Sequence, residues 1–382
     1  PLIYVRTWED ARLERMLAAV GSKAFSQSVP VYVWSTTTGL RTIDGKSVPK
    51  TEDPIAASDY MMQESGTAIY QMCDASLLLQ DPKICRKLRD AYQAFKNNYK
   101  TLFLSGPDAT IPTTLSREIF SYSLRMPTIP ELATLFNETV AAQKGAVNKL
   151  SEEDAEEFPK AALGLTLDEA RIAFGKACLG RKEITIDAVK SVIEEKSQLI
   201  RREGILEYVP IDFGLEEVGG LANLKRWLEA RSRFFSKEAS MYGISAPKGV
   251  LITGVSGCGK SLCVKAISKY WRLPLLRLDM SRIFGAVHGT PESTMNRALE
   301  TAEAISPVIL WIDEIENALA GSREGDSGIT NRIFSSFLTW MQERKATVFI
   351  AATANQIDLL PAEFLRKGRF DEIFFVDLPS EE

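Results

Sequence analysis

A glycine-rich stretch, GVSGCGKS at residues 254–261, constrains this chain more than any other part of its sequence. It fits the pattern G-x-x-x-x-G-K-[ST] and lies between an apolar run at 249–253 and a helix-like segment at 262–270. In a strand–loop–helix unit of this kind, the backbone N–H groups of the loop and the helix N-terminus bind phosphate oxygens. The sequence therefore predicts a binding site for a nucleoside triphosphate.

The residues of this phosphate loop have separate expected roles. Lys260 can reach the β- and γ-phosphates, and the Ser261 hydroxyl can ligate Mg²⁺. We interpret Cys258 more simply as a small residue that fits the loop than as a thiol activated by the helix N-terminus. The phosphate contacts are expected from the loop and the first helical turn, at Ser256, Gly257, Cys258, Gly259, Lys260, Ser261 and Leu262.

Composition limits the class of protein. The 382 residues are 45% hydrophobic and 25% charged, which is typical of soluble globular protein with two or three domains. A net charge of -4 gives no global reason to expect a nucleic-acid or membrane partner, and no apolar run is long enough to span a bilayer. Five scattered cysteines and one histidine, His288, predict neither disulfides nor a zinc site, so a carboxylate is the expected general base.

Apolar runs alternate with helical patterns from residue 249 onward. Such alternation predicts an α/β fold, a doubly wound parallel sheet with crossover helices. Ligands of such sheets bind beyond the carboxyl ends of the strands, where the phosphate loop, Asp313 and Asn355 all fall. The strand-like runs are 249–253, 273–278, 308–312, 347–351 and 373–376.

Polar residues that suit phosphoryl transfer follow these runs. Asp313 and Glu314 come directly after the run 308–312. We expect Asp313 to hold Mg²⁺, directly or through its waters, and Glu314 to orient and deprotonate the attacking water. Asn355 can bond this water or the γ-phosphate. Arg366 and Arg369 precede the last strand, and guanidinium groups donate bidentately to the oxygens of a phosphoryl transition state.

The first part of the chain repeats the alternation more faintly. Thr7-Trp8-Glu9-Asp10 resembles a capping box before a helix. Arg6 and Thr7 stand where a phosphate loop would need glycine, so we predict a relative of the second half that binds no nucleotide. Asp74, at the end of one run, is more simply a turn residue than a former Mg²⁺ ligand. The strand-like runs are 2–5, 29–34, 68–72, 101–104 and 119–124.

Three domains are predicted: a degenerate P-loop-like α/β domain at 1–128, a helical lid-like segment at 129–204, and a nucleotide-binding core at 205–382. The helical segment has an acidic start at 151–154 and an amphipathic run at 166–178, and residues 207–220 suggest a linker broken by Pro210. A basic stripe on one helix is more typical of a solvated face than of a nucleic-acid surface. It comprises Lys83, Arg86, Lys87, Arg89, Lys96 and Lys100.

Residues 211–382 resemble the AAA family of P-loop ATPases, on the five motifs in their order. The segment EVGGL at 217–221 looks like the adenine-side segment of the family and includes Val218 and Gly219, and LRKGRFD ends at Asp371. The resemblance implies ATP or ADP and Mg²⁺ as cofactors, with the roles given above. It also implies that Arg366 and Arg369 act on the nucleotide of a neighbouring subunit, hence a homo-oligomer, usually a ring of six.

The whole chain is similar to the uncharacterised AAA proteins of cyanobacteria and red-algal plastid genomes. This likeness implies a cyanobacterial cytoplasm or a plastid stroma, and a role tied to photosynthetic or carbon metabolism. Threading members of the family carry an aromatic residue before the glycine that corresponds to Gly289. Here Val287 and His288 hold those positions, with Phe284 earlier, which disfavours threading. The chain ends at Glu382, so we expect the C-terminal helical lid to be absent from it.

The leading hypothesis is a Mg²⁺-dependent ATPase that assembles into a ring and remodels or regulates an unidentified protein partner. Under this hypothesis the first half serves recognition or regulation. Two alternatives stay open. One is a nucleotide-gated scaffold or switch with slow turnover, and the other is a nucleic-acid remodeller that uses the basic stripe.

Overall fold

A computed structural model describes residues 1–107, 111–143, 147–211, 214, 217–235, 246–284, 290–316, 327–344, 346–366 and 368–377. The chain divides into two compact units by its internal contacts. The first unit comprises Pro1–Met126 with Thr166–Asp168, and the second comprises Pro127–Leu165 with Glu169–Glu382.

The first unit contains one six-stranded sheet and its crossover helices. Two of the helices start at an aspartate that caps the helix, followed by a proline at its first position, which suits a helix start. The elements are β1 (Leu2–Arg6), α1 (Asp10–Lys23), β2 (Val31–Ser35), β3 (Gly39–Thr42), α2 (Pro54–Gln63), β4 (Ile69–Met72), α3 (Ala75–Leu78), α4 (Pro82–Phe95), β5 (Thr101–Gly106) and β6 (Ile119–Ser123).

The strands of the first unit lie in the order β3-β2-β4-β5-β1-β6. They run parallel to their neighbours, except that β3 is antiparallel to β2. Successive residues of β1 enter two hydrophobic clusters: Leu2 and Tyr4 pack with residues of α2 and α4, and Val5 packs with Leu13 of α1. Because side chains alternate along a strand, helices cover both faces of this sheet.

The second unit begins with helices and continues into a second sheet. Its first part is α5 (Ile129–Ala142), β7 (Val147–Asn148), α6 (Glu152–Ala161), α7 (Leu167–Cys178, of which the first two residues belong to the first unit), β8 (Glu183–Ile184) and α8 (Val189–Glu203). Its second part is β9 (Leu206–Tyr208), α9 (Ala222–Arg231), β10 (Gly249–Gly254), α10 (Lys260–Trp271), β11 (Leu275–Leu278), α11 (Met280–Phe284), α12 (Pro291–Ile305), β12 (Val308–Ile312), α13 (Ser327–Glu343), β13 (Val348–Ala354) and β14 (Glu372–Val376).

The helices of the second unit pack around buried aromatic rings. Phe136 stacks on Phe158 with ring centroids 4.3 Å apart and meets Phe174 edge-on at 5.2 Å. The segment between α6 and α7 approaches α12 closely at Gly164, which has a φ of 87°. A Cβ at Gly164 would collide with the side chain of Ile305. Glycine is therefore required there by both the backbone conformation and the close approach.

The second sheet has the strand order β14-β10-β13-β12-β11-β9. Every pairing is parallel except that of β9 with β11. All residues of β10, β12 and β13 are buried, as expected for strands with helices on both faces. The predicted fold class, an α/β fold with a parallel doubly wound sheet, is confirmed.

The two sheets share one strand order. Numbered by their parallel strands in chain order, both read 5-1-4-3-2, with one antiparallel strand beside the second strand. The first unit thus has the topology of the second, as the fainter alternation of its sequence predicts.

The predicted linker at 207–220 is wrong at its start, because Glu207 and Tyr208 belong to β9. This strand pairs with β11, and Glu207 forms an ion pair with Arg277 at 2.6 Å. A strand of three residues is too short to show alternating polar and apolar side chains in the sequence. Its pairing with β11 is what identifies it as a strand. The strand β3, which has four residues and one large apolar side chain, also lies outside the predicted runs.

The predicted capping box at Thr7–Asp10 is also wrong. The helix α1 begins at Asp10, and Glu9 is its N-cap residue without a side-chain cap. The Thr7 hydroxyl accepts from the Glu9 backbone N–H at 2.9 Å, which closes a local turn instead. The Glu9 carboxylate is engaged by Arg12 at 3.0 Å and by the backbone N–H of Leu167 at 2.7 Å.

The predicted basic stripe does not form a continuous surface. Lys100 lies beyond α4 and is only 2% exposed, because its ammonium group donates to the carbonyl of Met61 at 2.7 Å. Three other members pair with carboxylates: Arg86 with Asp90, Lys87 with Asp59, and Arg89 with Glu118. Four of the six members are therefore buried or paired, and Lys83 and Lys96 are exposed, which favours a solvated face over a nucleic-acid surface.

Candidate functional site

The phosphate loop connects β10 to α10 through glycines in conformations that favour glycine. Gly257 and Gly259 have φ angles of 84° and 94°, and Gly259 is the N-cap residue of α10. Gly254 has a φ of 153°, and a Cβ there would collide with the backbone carbonyl of Val376 in β14. The chain therefore turns tightly after a buried strand and presents the helix N-terminus, a geometry that binds anions.

Lys260 is the first residue of α10, and its side chain folds back into the loop. The ammonium group donates to the carbonyls of Gly254 at 2.9 Å and Val255 at 2.7 Å, and the residue is 7% exposed. Cys258 is also buried, whereas Ser256, Gly257 and Leu262 are exposed. The loop thus surrounds a fixed positive charge, which fits the phosphates of a nucleotide.

Ser261 and Asp313 meet at the carboxyl edge of the sheet. The Ser261 hydroxyl lies 3.5 Å from Oδ1 of Asp313, which directly follows β12. A hydroxyl and a carboxylate are oxygen ligands of the kind that Mg²⁺ takes, together with nucleotide phosphates and water. The donor set therefore fits Mg²⁺. Within the described residues, no three His, Cys, Asp or Glu side chains are grouped as a metal site of their own.

Glu314 and Asn355 face each other across neighbouring strand ends. Asn355 Nδ2 donates to Oε1 of Glu314 at 3.0 Å. Glu314 is exposed and has a left-handed backbone with a φ of 47°, whereas Asp313 is half-buried. The two consecutive acids thus have different surroundings, and Glu314 is the one open to solvent.

Two residues that the sequence analysis missed form hydrogen bonds to the residues at this edge. The Thr353 hydroxyl donates to Oδ1 of Asp313 at 2.6 Å and accepts from the backbone N–H of Glu314 at 2.9 Å. Oε1 of Glu316, which is 3% exposed, accepts from the backbone N–H of Asn355 at 2.7 Å. The signals available in the sequence were a threonine within an otherwise apolar strand and a further acid two residues after Glu314.

The predicted adenine-side residues lie before α9. Val218 is 8% exposed and belongs to the same hydrophobic cluster as Cys258 of the loop. Its carbonyl accepts from Nζ of Lys225 at 2.6 Å, which fixes the backbone of this segment. Gly219 is exposed beside it.

Arg366 and Arg369 differ in their surroundings. Arg366 is exposed, whereas Arg369 is half-buried and donates to the backbone carbonyl of Glu363. Of the two side chains, that of Arg369 is therefore held by its own segment, and that of Arg366 is the more open to solvent. The residues considered for threading, Val287, His288 and Gly289, lie outside the described residues.

The first unit has a counterpart of this edge with different chemistry. Asp10 is the first residue of α1, in the place of Lys260 in α10. Its Oδ1 accepts from the Ser105 hydroxyl at 2.5 Å. Burial raises the pKa of Asp10, opposed by that hydrogen bond and assisted by the charge of Asp74. A carboxyl group thus stands where a phosphate loop holds a cation, and the connection from β1 to α1 is only Thr7, Trp8 and Glu9.

Asp74 and Glu314 hold matching positions. Each stands two residues after the third parallel strand of its sheet, and each has a left-handed backbone, with φ angles of 54° and 47°. Asp74 precedes α3 and makes no side-chain cap bond. The position corresponds to the acid of the second unit, although the first unit carries Cys73 in place of Asp313.

This fold and this edge define the class of protein, and the chain belongs to the AAA family of ATPases. The family model described as "ATPase family associated with various cellular activities (AAA)" matches residues 250–378. The models for the N-terminal and second domains of SpoVK-like AAA ATPases match residues 1–124 and 130–203.

Similar relatives from algae cover the whole chain. The "Uncharacterized AAA domain-containing protein ycf46" of Guillardia theta is 38% identical over 100% of the chain and 75% of the relative. The protein of the same description from Pyropia yezoensis is 37% identical, over 77% of its length. A "Putative ribosome biogenesis ATPase nvl" of Dictyostelium discoideum is 30% identical over 50% of the chain and 23% of the relative. No helix among the described residues is long and apolar enough to cross a membrane.

Proposed function

We propose that the second unit hydrolyses ATP to ADP and phosphate with Mg²⁺. The observation that carries this proposal is the meeting of Ser261, Asp313, Glu314 and Asn355 at one sheet edge beside the phosphate loop. Family membership supports the same activity.

The phosphate loop and the helix α10 bind the nucleotide. The backbone N–H groups of residues 256–262 and the dipole of α10 hold the phosphates, and Lys260 exchanges its carbonyl partners for phosphate oxygens. Val218 and Gly219 hold the adenine side.

Two oxygen ligands serve the metal ion. The Ser261 hydroxyl and the Asp313 carboxylate would hold Mg²⁺, whose charge, when bound, offsets that of the phosphate oxygens. Because Thr353 already donates to Oδ1 of Asp313, that carboxylate is oriented by the protein itself.

Water activation falls to Glu314. Its exposed carboxylate accepts a proton from the attacking water, and Asn355 orients both the carboxylate and the water through its amide. Glu316 fixes the backbone of Asn355 in turn. The reaction then needs no histidine.

Assembly would complete the site. We assign Arg366 and Arg369 to the γ-phosphate of a neighbouring subunit, which requires a homo-oligomer, a hexameric ring in the simplest case. The exposure of Arg366 supports this assignment. A planar guanidinium stabilises the spread charge of the transition state.

The client we propose is a protein, with residues 1–128 and the helical segment 129–204 serving recognition or regulation. The carboxyl group of Asp10 supports a first unit that binds no nucleotide. The algal relatives support action in a plastid stroma or a cyanobacterial cytoplasm.

A pair of lysine variants on one helix tests the proposal. Lys260→Ala should abolish both phosphate release and saturable binding of a fluorescent ATP analogue, because the loop loses its cation. Lys269→Ala removes an exposed lysine from the same helix and should change neither. Residual saturable binding in Lys260→Ala would place a nucleotide elsewhere in the chain and contradict the proposed site.

A further inference from the structure

Thr353 is a buried polar residue inside the apolar strand β13. The strand reads VFIAATA, all of it buried, and Thr353 is 0% exposed. A hydroxyl removed from water costs free energy unless it is hydrogen-bonded. Valine would fill the same volume without that cost, so the hydrogen bonds of the hydroxyl distinguish threonine at this position.

Both hydrogen bonds of the Thr353 hydroxyl are made with residues of the candidate site. Its hydroxyl has one proton, which it donates to Oδ1 of Asp313 at 2.6 Å. Its oxygen also accepts from the backbone N–H of Glu314 at 2.9 Å. One side chain therefore holds two consecutive acids on the neighbouring strand, one by its carboxylate and the other by its backbone.

The hydrogen bond from the Glu314 N–H stabilises an unfavourable backbone conformation. A left-handed backbone, here with a φ of 47°, is unfavourable for a residue other than glycine. The hydrogen bond of the Glu314 amide to Thr353 offsets part of that cost. Thr353 thus opposes relaxation of the turn that directs Glu314 toward Asn355.

We propose that Thr353 is a positioning residue for ATP hydrolysis, which couples the direction of the metal-binding carboxylate of Asp313 to that of the water-activating carboxylate of Glu314. The proposal rests on the function proposed above. Without the hydroxyl, Oδ1 of Asp313 keeps only the longer contact with Ser261, and the backbone N–H of Glu314 loses its acceptor, while the phosphate loop is unchanged.

The first unit has a buried hydroxyl at the same register position. Ser105 follows Leu104, the partner of Met72 in β4, just as Thr353 follows Ala352, the partner of Ile312 in β12. The Ser105 hydroxyl likewise donates to a carboxylate, Oδ1 of Asp10. Ser105→Ala is therefore a matched control, since it removes a buried hydroxyl from the equivalent strand without touching Asp313 or Glu314.

The experiment compares Thr353→Val, Thr353→Ser and Ser105→Ala in the full chain. It measures kcat, KM for ATP, the affinity for Mn²⁺ in the presence of ADP by electron paramagnetic resonance, nucleotide affinity without divalent cations, and thermal unfolding. Thr353→Val should lower kcat and the Mn²⁺ affinity by about 10- to 100-fold, the usual effect of losing a partner of a metal ligand. Nucleotide affinity without divalent cations should stay within about twofold, because the loop is unchanged.

Rescue separates positioning from folding. Thr353→Ser keeps the hydroxyl and should restore kcat and Mn²⁺ affinity, and Ser105→Ala should keep both. Wild-type values in Thr353→Val would overturn the proposal, and so would equal losses in the Val and Ser variants. Absence of turnover in the wild-type protein would instead contradict the proposed function, while the Mn²⁺ affinities would still decide whether Thr353 orients Asp313.

Discussion

Gly254 is the residue at which the strand β10 ends and the phosphate loop begins. It is the last residue of β10, has a φ of 153°, and lies against the backbone of β14. The buried strand therefore ends where two neighbouring backbones come too close for a side chain. The conformation of the loop depends on this contact as much as on the glycines that follow.

Gly254→Ala should destabilise the second unit by about 1–3 kcal/mol, because a Cβ meets a backbone carbonyl that cannot move away. Gly175→Ala is the control. Gly175 lies inside α7 with open space around it, and alanine there should stabilise by about 0.5–1 kcal/mol. Urea unfolding of both variants measures the difference, and equal stabilities would contradict the packing described at β14.

The sequence predicted the residues of the site better than it predicted the residues that hold them by hydrogen bonds. The loop, Asp313, Glu314 and Asn355 each follow an apolar run, so the topology of a parallel sheet brings them to one edge. Thr353 and Glu316 act through hydrogen bonds between neighbouring strands, which depend on register. No local pattern encodes register in a sheet whose strands are buried on both faces.

At the scale of one element, α8 buries an ionisable group. Lys196 is 4% exposed, and burial lowers its pKa to about 7. Its ammonium group donates to the carbonyl of Ala161 at 3.2 Å. Between pH 7 and the ordinary pKa of lysine, the unfolded chain therefore binds a proton that the folded chain lacks. The free energy of unfolding therefore increases as the pH rises through that window, and it decreases as the pH falls to 7.

Lys196→Met should remove this dependence. The difference in unfolding free energy between the variant and the wild type should be larger at pH 7 than at pH 9, by on the order of 2 kcal/mol in favour of methionine. Lys190→Met, on the same helix but with a side chain 78% exposed, should show the same difference at both pH values. Urea unfolding at the two pH values provides the measurement, and a pH-independent gain for Lys196→Met would show that the lysine is charged in the fold.

Elements with long apolar runs could be predicted, and those that depend on a partner could not. β10 and β12 stand out as five or six apolar residues before a loop, and both were expected close to their observed bounds. The strand β9 has three residues and is specified by β11. Two members of the basic stripe, Lys87 and Arg89, pair with carboxylates from α2 and from the chain before β6, which no local pattern shows.

At the scale of the molecule, one strand order occurs twice and only one copy has a phosphate loop. The order 5-1-4-3-2 and the left-handed acid after the third strand recur in both units. The difference is concentrated where the first strand meets its helix, at Asp10 in one unit and Lys260 in the other. The two units therefore share a topology and differ in charge at the first residue of this helix.

Ring assembly predicts that activity depends on protein concentration. Arg366→Ala and Arg369→Ala should each keep ATP binding but lower kcat by on the order of 10³, the contribution of an arginine finger. Mixing either variant with Lys260→Ala should recover activity, because one subunit supplies the nucleotide and its neighbour the arginine. A rate per subunit that stays constant on dilution, or no recovery on mixing, would contradict an arginine supplied in trans.

The most direct test of the account is the fate of ATP bound to Glu314→Gln. The substitution removes the proton acceptor but leaves Asp313, Ser261 and the loop in place. We expect ATP affinity within a few fold of the wild type and phosphate release slower by on the order of 10²–10⁴, the usual contribution of a general base. Glu343→Gln, an exposed change at the end of α13, should behave as the wild type. Phosphate release from Glu314→Gln at the wild-type rate would contradict the assignment of Glu314 and, with it, the proposed chemistry of this edge.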